Sequence, residues 1–150
     1  MTVKTALAIL VVGLAACQPK PVEETGIPLT GTWKLLTGTL IEKGDTVVTD
    51  YTIDRSFIKI INDTHFAFLQ HDLNKGQDST AVFVAGGGTY TLTGSLYTEK
   101  LEYCSARNWE GNDFSFTVAI SADTLVQSGV EKIESEGIDR LNIEKYVRVK

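Results

Sequence analysis

From residue 30 to the end of the chain there is no proline, and apolar and polar residues repeatedly alternate one for one. Phe114, Phe116, Val118 and Ile120 alternate with Ser115, Thr117 and Ala119, and Leu141, Ile143, Val147 and Val149 with Asn142, Glu144, Tyr146 and Arg148. A period of two belongs to a strand with one buried face, not to a helix. Turn signals recur at roughly the 8–12-residue spacing of meandering antiparallel sheets. Strands are expected at 32–42, 46–53, 57–61, 65–71, 81–93, 96–103, 113–121, 124–128 and 140–149. Lys43-Gly44-Asp45, Asn62-Asp63, Asn74-Lys75-Gly76, Thr93-Gly94, Gly111-Asn112-Asp113 and Ala122-Asp123 supply the turns, most of them short enough for hairpins. A short helical turn is expected at 130–134. About nine strands on short turns must stack as a sandwich or close on themselves, and closure removes exposed edges. The expected fold is an all-β, antiparallel up-and-down barrel of about 8–10 strands.

Ahead of this domain lies a different composition. An apolar run begins near Ala6 behind Lys4 and ends in Leu14-Ala15-Ala16-Cys17. It is too short to span a membrane and has the small residues of a signal-peptide cleavage site. The ending resembles the lipobox of bacterial lipoproteins, which implies cleavage before Cys17, diacylglycerol on its sulfur and acylation, typically with palmitate, of its new amino group. Several acyl chains would make a firm membrane anchor. By resemblance to lipoprotein sorting in diderm bacteria, Gln18 in place of Asp implies the outer membrane of the cell envelope. All three prolines, Pro19, Pro21 and Pro28, fall in the next stretch. The organisation expected is therefore a signal peptide at 1–16, a lipidated Cys and Pro-rich tether at 17–29, and one barrel domain at 30–150, a length that suits a single core.

The formal charge is −5, with Lys and Arg scattered and no basic stripe, which argues against nucleic acid as a partner. With Cys17 acylated, Cys104 is the one thiol left and no intramolecular disulfide can form. Burial as a small hydrophobe is its expected fate.

Gly31-Thr32-Trp33 opens the first strand and Tyr146-Val147-Arg148 nearly closes the last. In a meander that closes antiparallel on itself, the end of the last strand lies beside the start of the first, so Trp33 and Arg148 become neighbours. Here the chain resembles the calycin superfamily, in which a Gly-x-Trp packs under a basic residue of the last strand and plugs one barrel end. Gly31, Trp33 and Arg148 would form that plug. Over residues 30–150 the chain also resembles lipocalin-like domains of Bacteroidetes lipoproteins, a group largely without assigned function. That likeness is carried by the same Gly31-Thr32-Trp33, Gly86-Gly87-Gly88-Thr89-Tyr90, Tyr97-x-Glu99-x-Leu101-Glu102-Tyr103 and Gly137-Ile138-Asp139-Arg140. The helix pair that follows the first strand in fatty-acid-binding proteins has no counterpart between Glu42 and Thr46, and Thr49-Asp50-Tyr51 lies too early to be the lipocalin Thr-Asp motif.

Most chemistry-bearing patterns fail on spacing. Gly86-Gly87-Gly88 is followed by a strand and no Lys-Ser/Thr, so it suits a bulge better than a phosphate cradle. His65 and His71 lie about 20 Å apart along one strand and cannot share a metal. Glu99 and Glu102 point to opposite faces and cannot act as an acid/base pair. No nucleophile elbow, zinc signature or triad pattern occurs, and neither catalysis nor a cofactor is expected. Two ligand candidates remain. Tyr97, Glu99, Leu101 and Tyr103 share one strand face, with Arg140 and Tyr146 sharing a face of the last strand and Arg140 placed to supply the countercharge to Glu99. Trp109, in the loop at 105–110, sits where a barrel mouth would be. The expectation is a barrel that binds a small, partly hydrophobic molecule in its interior. The alternative is a barrel filled by its own side chains that works through a protein partner, and interior volume separates the two.

Replacing Cys17 by Ser should leave an unacylated product that no longer partitions into the detergent phase. A Cys17→Ser protein that still partitions as the mature lipoprotein does would remove the anchor.

Overall fold

A computed structural model describes residues 26–150; the signal segment, Cys17 and most of the Pro-rich stretch lie outside the described residues. Nine antiparallel strands follow in chain order: β1 (Gly31–Glu42), β2 (Asp45–Asp50), β3 (Arg55–Ile61), β4 (His65–Asp72), β5 (Phe83–Thr93), β6 (Leu96–Cys104), β7 (Asp113–Ser121), β8 (Thr124–Ile133) and β9 (Ile138–Arg148). Each pairs with its neighbour from β3 to β9, and β1 pairs with β9, so eight strands close into an up-and-down barrel. The ninth, β2, continues the β1 hairpin. It occupies the upper part of the edge whose lower part, residues 31–34 of β1, pairs with β3. The tight turns follow the residues that tolerate positive φ: Lys43 and Gly44 (52° and 91°), Gly94 (58°) and Ala122 (50°).

Side-chain direction is set by two irregularities. On β1 the register to β9 shifts between Leu35 and Thr37, so the inward set runs Trp33, Leu35 and then Gly38. On β6 the shift lies between the partners of Gly87 and Gly88, leaving Glu102 as the extra residue. Gly88 is forced here, because a Cβ would stand 2.0 Å from the Lys100 carbonyl oxygen. The bulge changes the parity of β6: Tyr97, Glu99 and Leu101 face in, but Tyr103 turns out and is 68% exposed. Tyr103 therefore does not share the inner face expected from period two, because a bulge inserts one residue into the count.

One further expectation is corrected. The stretch at 130–134 is not helical: β8 runs to Ile133, paired with β9 throughout, and a single 3₁₀ turn follows at Glu134–Glu136. On β9 the face that carries Arg140 and Tyr146 points inward, as expected, and the rest of its inner set is polar too. Asn142 and Tyr146 are buried and Arg140 and Glu144 line the interior, while Leu141, Ile143 and Val147 stay partly exposed.

The lower end of the barrel is closed. Trp33, fully buried, sits over Leu35, Ile61, Phe66, Val118 and Leu125. The Arg148 guanidinium lies 4.1 Å from the Trp33 ring centroid and donates to the carbonyls of Thr30 (2.8 Å) and Pro28 (2.6 Å). The indole N–H of Trp33 donates to the Leu29 carbonyl at 2.8 Å. Gly31 has φ 144°, and a Cβ there would meet Arg148 Nη1 at 2.5 Å. Leu29 is buried, so the packed chain begins slightly ahead of Thr30.

Trp33→Ala should cost about 3–5 kcal/mol, the usual loss for a large core aromatic. Arg148→Ala should cost less, and its effect should shrink in a Trp33→Leu background, because the stacking part of the Arg148 contribution is then already lost. Chemical denaturation of the four proteins checks this, and strictly additive effects would contradict the contact.

Candidate functional site

Above the closed floor the barrel interior is charged. Lys59 on β3 points inward between Phe57 and Ile61 and is only 3% exposed. Its ammonium forms a buried salt bridge with the Glu99 carboxylate on β6 and donates to Gln127 Oε1 on β8 at 3.0 Å. Four rings surround it: Tyr97 at 5.5 Å, Phe66 and Tyr146 at 5.7 Å and Phe116 at 6.0 Å from Nζ to the centroid. The lower interior is thus an aromatic cage occupied by the protein's own lysine.

Glu144 on β9 completes this layer. Its Oε2 accepts from the Tyr146 hydroxyl at 2.7 Å and from Gln127 Nε2 at 3.2 Å. Burial pushes the Glu144 carboxyl above the ordinary carboxylate range, against the opposing pull of the Lys59 charge and the Tyr146 hydrogen bond. Burial, reinforced by neighbouring carboxylates, likewise raises the phenols of Tyr97 and Tyr146, which stay neutral donors. The Tyr97 hydroxyl is buried without a hydrogen-bond partner among the described residues.

A second charged group sits nearer the upper end. Glu131 on β8 accepts from Arg140 Nε and from Asn142 Nδ2, each at 2.8 Å. The Arg140 guanidinium lies 5.2 Å from the Trp109 ring centroid, and Trp109 packs on Phe114 at 5.8 Å. The 3₁₀ turn Arg107–Trp109 holds that ring over the interior. It is fixed by Asn112, which donates to the Trp109 carbonyl at 2.9 Å, and by Glu110, which accepts the Cys104 backbone N–H at 2.8 Å.

Between these two layers lies a cavity of about 270 Å³, open at the upper end. Tyr51, Phe57, Phe68, Trp109, Phe114 and Phe116 supply its aromatic walls, and Lys59, Glu99, Glu131, Arg140 and Glu144 its charges. Cys104, turned inward by the β6 bulge, reaches it as a free, partly buried thiol.

Of the residues singled out from sequence, Glu99, Trp109, Arg140 and Tyr146 line this cavity. Tyr97 lies in the cage below, and Tyr103 lies on the outer wall. The proposed Glu99–Arg140 pairing does not occur: Glu99 pairs with Lys59 and Arg140 with Glu131. Each carboxylate takes the cation at its own height in the barrel. Lys59, Gln127, Glu131, Asn142 and Glu144 went unread as interior groups. The available signal was Phe57-Ile58-Lys59-Ile60-Ile61, where a lone lysine shares its face with Phe57 and Ile61. No family model matches the chain, and no curated protein matches it in sequence.

Lys59→Met should destabilise the barrel by about 3–5 kcal/mol, because it leaves the Glu99 charge buried without its partner. Adding Glu99→Leu should restore most of that loss, since a buried pair replaced whole is close to neutral. Urea unfolding of the single and double variants measures both, and a double variant no more stable than the single would refute the pairing.

Proposed function

We propose that this chain is a membrane-tethered lipoprotein with a lipocalin-like barrel, whose non-catalytic task is to bind a small, partly hydrophobic molecule. The observation that carries this reading is the open interior cavity of about 270 Å³, with aromatic walls and a few convergent polar groups. Ligand sites combine those features, at volumes of about 300–1,000 Å³. At about 270 Å³ the space lies just below that range, which suits a compact molecule. The rings at the mouth provide apolar contact, and the polar layer at the base provides orientation.

Support for the lipocalin-like assignment comes from the closed antiparallel meander and from the Trp33–Arg148 contact at its floor. The lipid anchor at Cys17, the cell-envelope location and the outer-membrane destination rest on the lipobox and on Gln18. The second reading, a filled barrel acting through a protein partner, is favoured by the cage in which Lys59 occupies the lower half of the interior.

Native mass spectrometry of the protein purified from its own cells should show an adduct of a few hundred daltons at most, released on denaturation. Leu101→Trp, which fills the cavity from β6, should abolish that adduct while the protein stays folded. Bare protein in every charge state would favour the filled-barrel reading.

A further inference from the structure

The charges facing the cavity do not balance. Lys59 is taken by Glu99 and Arg140 by Glu131, which leaves Glu144 without a cation within 4.0 Å among the described residues. Its Oε2 is committed to Tyr146 and Gln127, whereas its Oε1 accepts no hydrogen bond from the described residues. Glu144 is nevertheless a wall residue of the cavity and retains partial exposure. Phe57, Phe68 and Trp109 line the same cavity, and aromatic faces attract cations through their negative quadrupole.

We infer that the molecule held in this barrel is a small organic cation, a protonated amine on an apolar body, whose ammonium meets the free oxygen of Glu144. The inference rests on the binding reading above and narrows it to a ligand class. An ammonium here completes three ion pairs in an interior that otherwise carries three carboxylates and two cations. It also supplies the donor that Glu144 Oε1 lacks, while the apolar body lies against Phe57, Phe68 and Trp109. The neighbouring charges leave room for a cation: around Glu144 the interior presents Lys59 on β3 and Arg140 on β9 against Glu99 on β6 and Glu131 on β8, which balance, so that ionised Glu144 brings the net charge to −1. The opposing feature is Arg140, whose Nε alone is bonded to Glu131 and whose terminal nitrogens make no hydrogen bond with the described residues, so that an anion would be drawn to them.

The test uses three probes of one shape on the purified protein at pH 7.5: 2-phenylethylamine, 2-phenylethanol and 3-phenylpropanoate, titrated by calorimetry. The amine should bind at least tenfold more tightly than the alcohol, and the carboxylate more weakly than either. In Glu144→Gln the preference of amine over alcohol should fall to within about twofold. If the alcohol matches the amine in the wild-type protein, the Glu144 assignment fails while interior binding stands. If the carboxylate binds best, Arg140 is the anchor and the inference is overturned. If none of the three binds saturably, and Leu101→Trp changes nothing, the binding reading fails together with it. The wild-type comparison decides the matter even if Glu144→Gln does not fold.

Discussion

A lysine ammonium at the centre of a small barrel is the constraint around which the rest of the structure is arranged. An isolated charge there would be costly by several kcal/mol even after relaxation, so it persists only with partners brought in from other strands. Glu99 arrives from β6, Gln127 from β8, and the four rings from β4, β6, β7 and β9. One side chain on β3 is thereby tied to strands on the far wall. A layer of this kind adds little net stability over an apolar core of equal volume, but it penalises any other register, because a slip of one residue would send Lys59 out and leave Glu99 alone.

The two bulges make that layer compatible with a continuous sheet. Were Leu36 in regular alternation, Thr37 rather than Gly38 would face the interior, and were Glu102 in regular alternation, the bulky Tyr103 would replace Cys104 there. Gly38 and the Gly86-Gly87-Gly88 run keep the wall thin where neighbours come close: a Cβ on Gly87 would meet the Phe66 carbonyl oxygen at 2.5 Å, and one on Gly86 the Phe68 ring at 2.4 Å. Of these glycines Gly38 lines the cavity, which gains space where that position carries no side chain.

Much of the framework could be read from the chain because it depends on local chemistry. Phe114, Phe116 and Val118 face inward as period two requires, and β1 pairs with β9 so that Trp33 stands opposite Arg148. What could not be read is which partners satisfy a polar inner set. On β9, Asn142, Glu144 and Tyr146 are inside because Glu131, Gln127 and the rest of the layer satisfy them, and those partners are distant in sequence. On β9 the face that carries Arg140 and Tyr146 was read as interior, but local pattern ended β8 at Ser128 and joined Glu99 to Arg140 rather than Lys59. The bulge itself was legible in Gly86-Gly87-Gly88, and the β5–β6 register shifts between Gly87 and Gly88; that the extra residue is Glu102 on β6 was not, because it follows from a backbone approach between Gly88 and Lys100 that no side-chain pattern reports.

The floor of the barrel also fixes a polarity. Residues 28–30 are bound beneath it by Arg148 and Trp33, so the described chain enters at the closed end, while Trp109, Tyr51 and Arg140 gather at the other. Anything that holds this protein by residues ahead of these would grip it by its sealed base. The opening would then look outward into the surrounding fluid, like a cup standing on its foot.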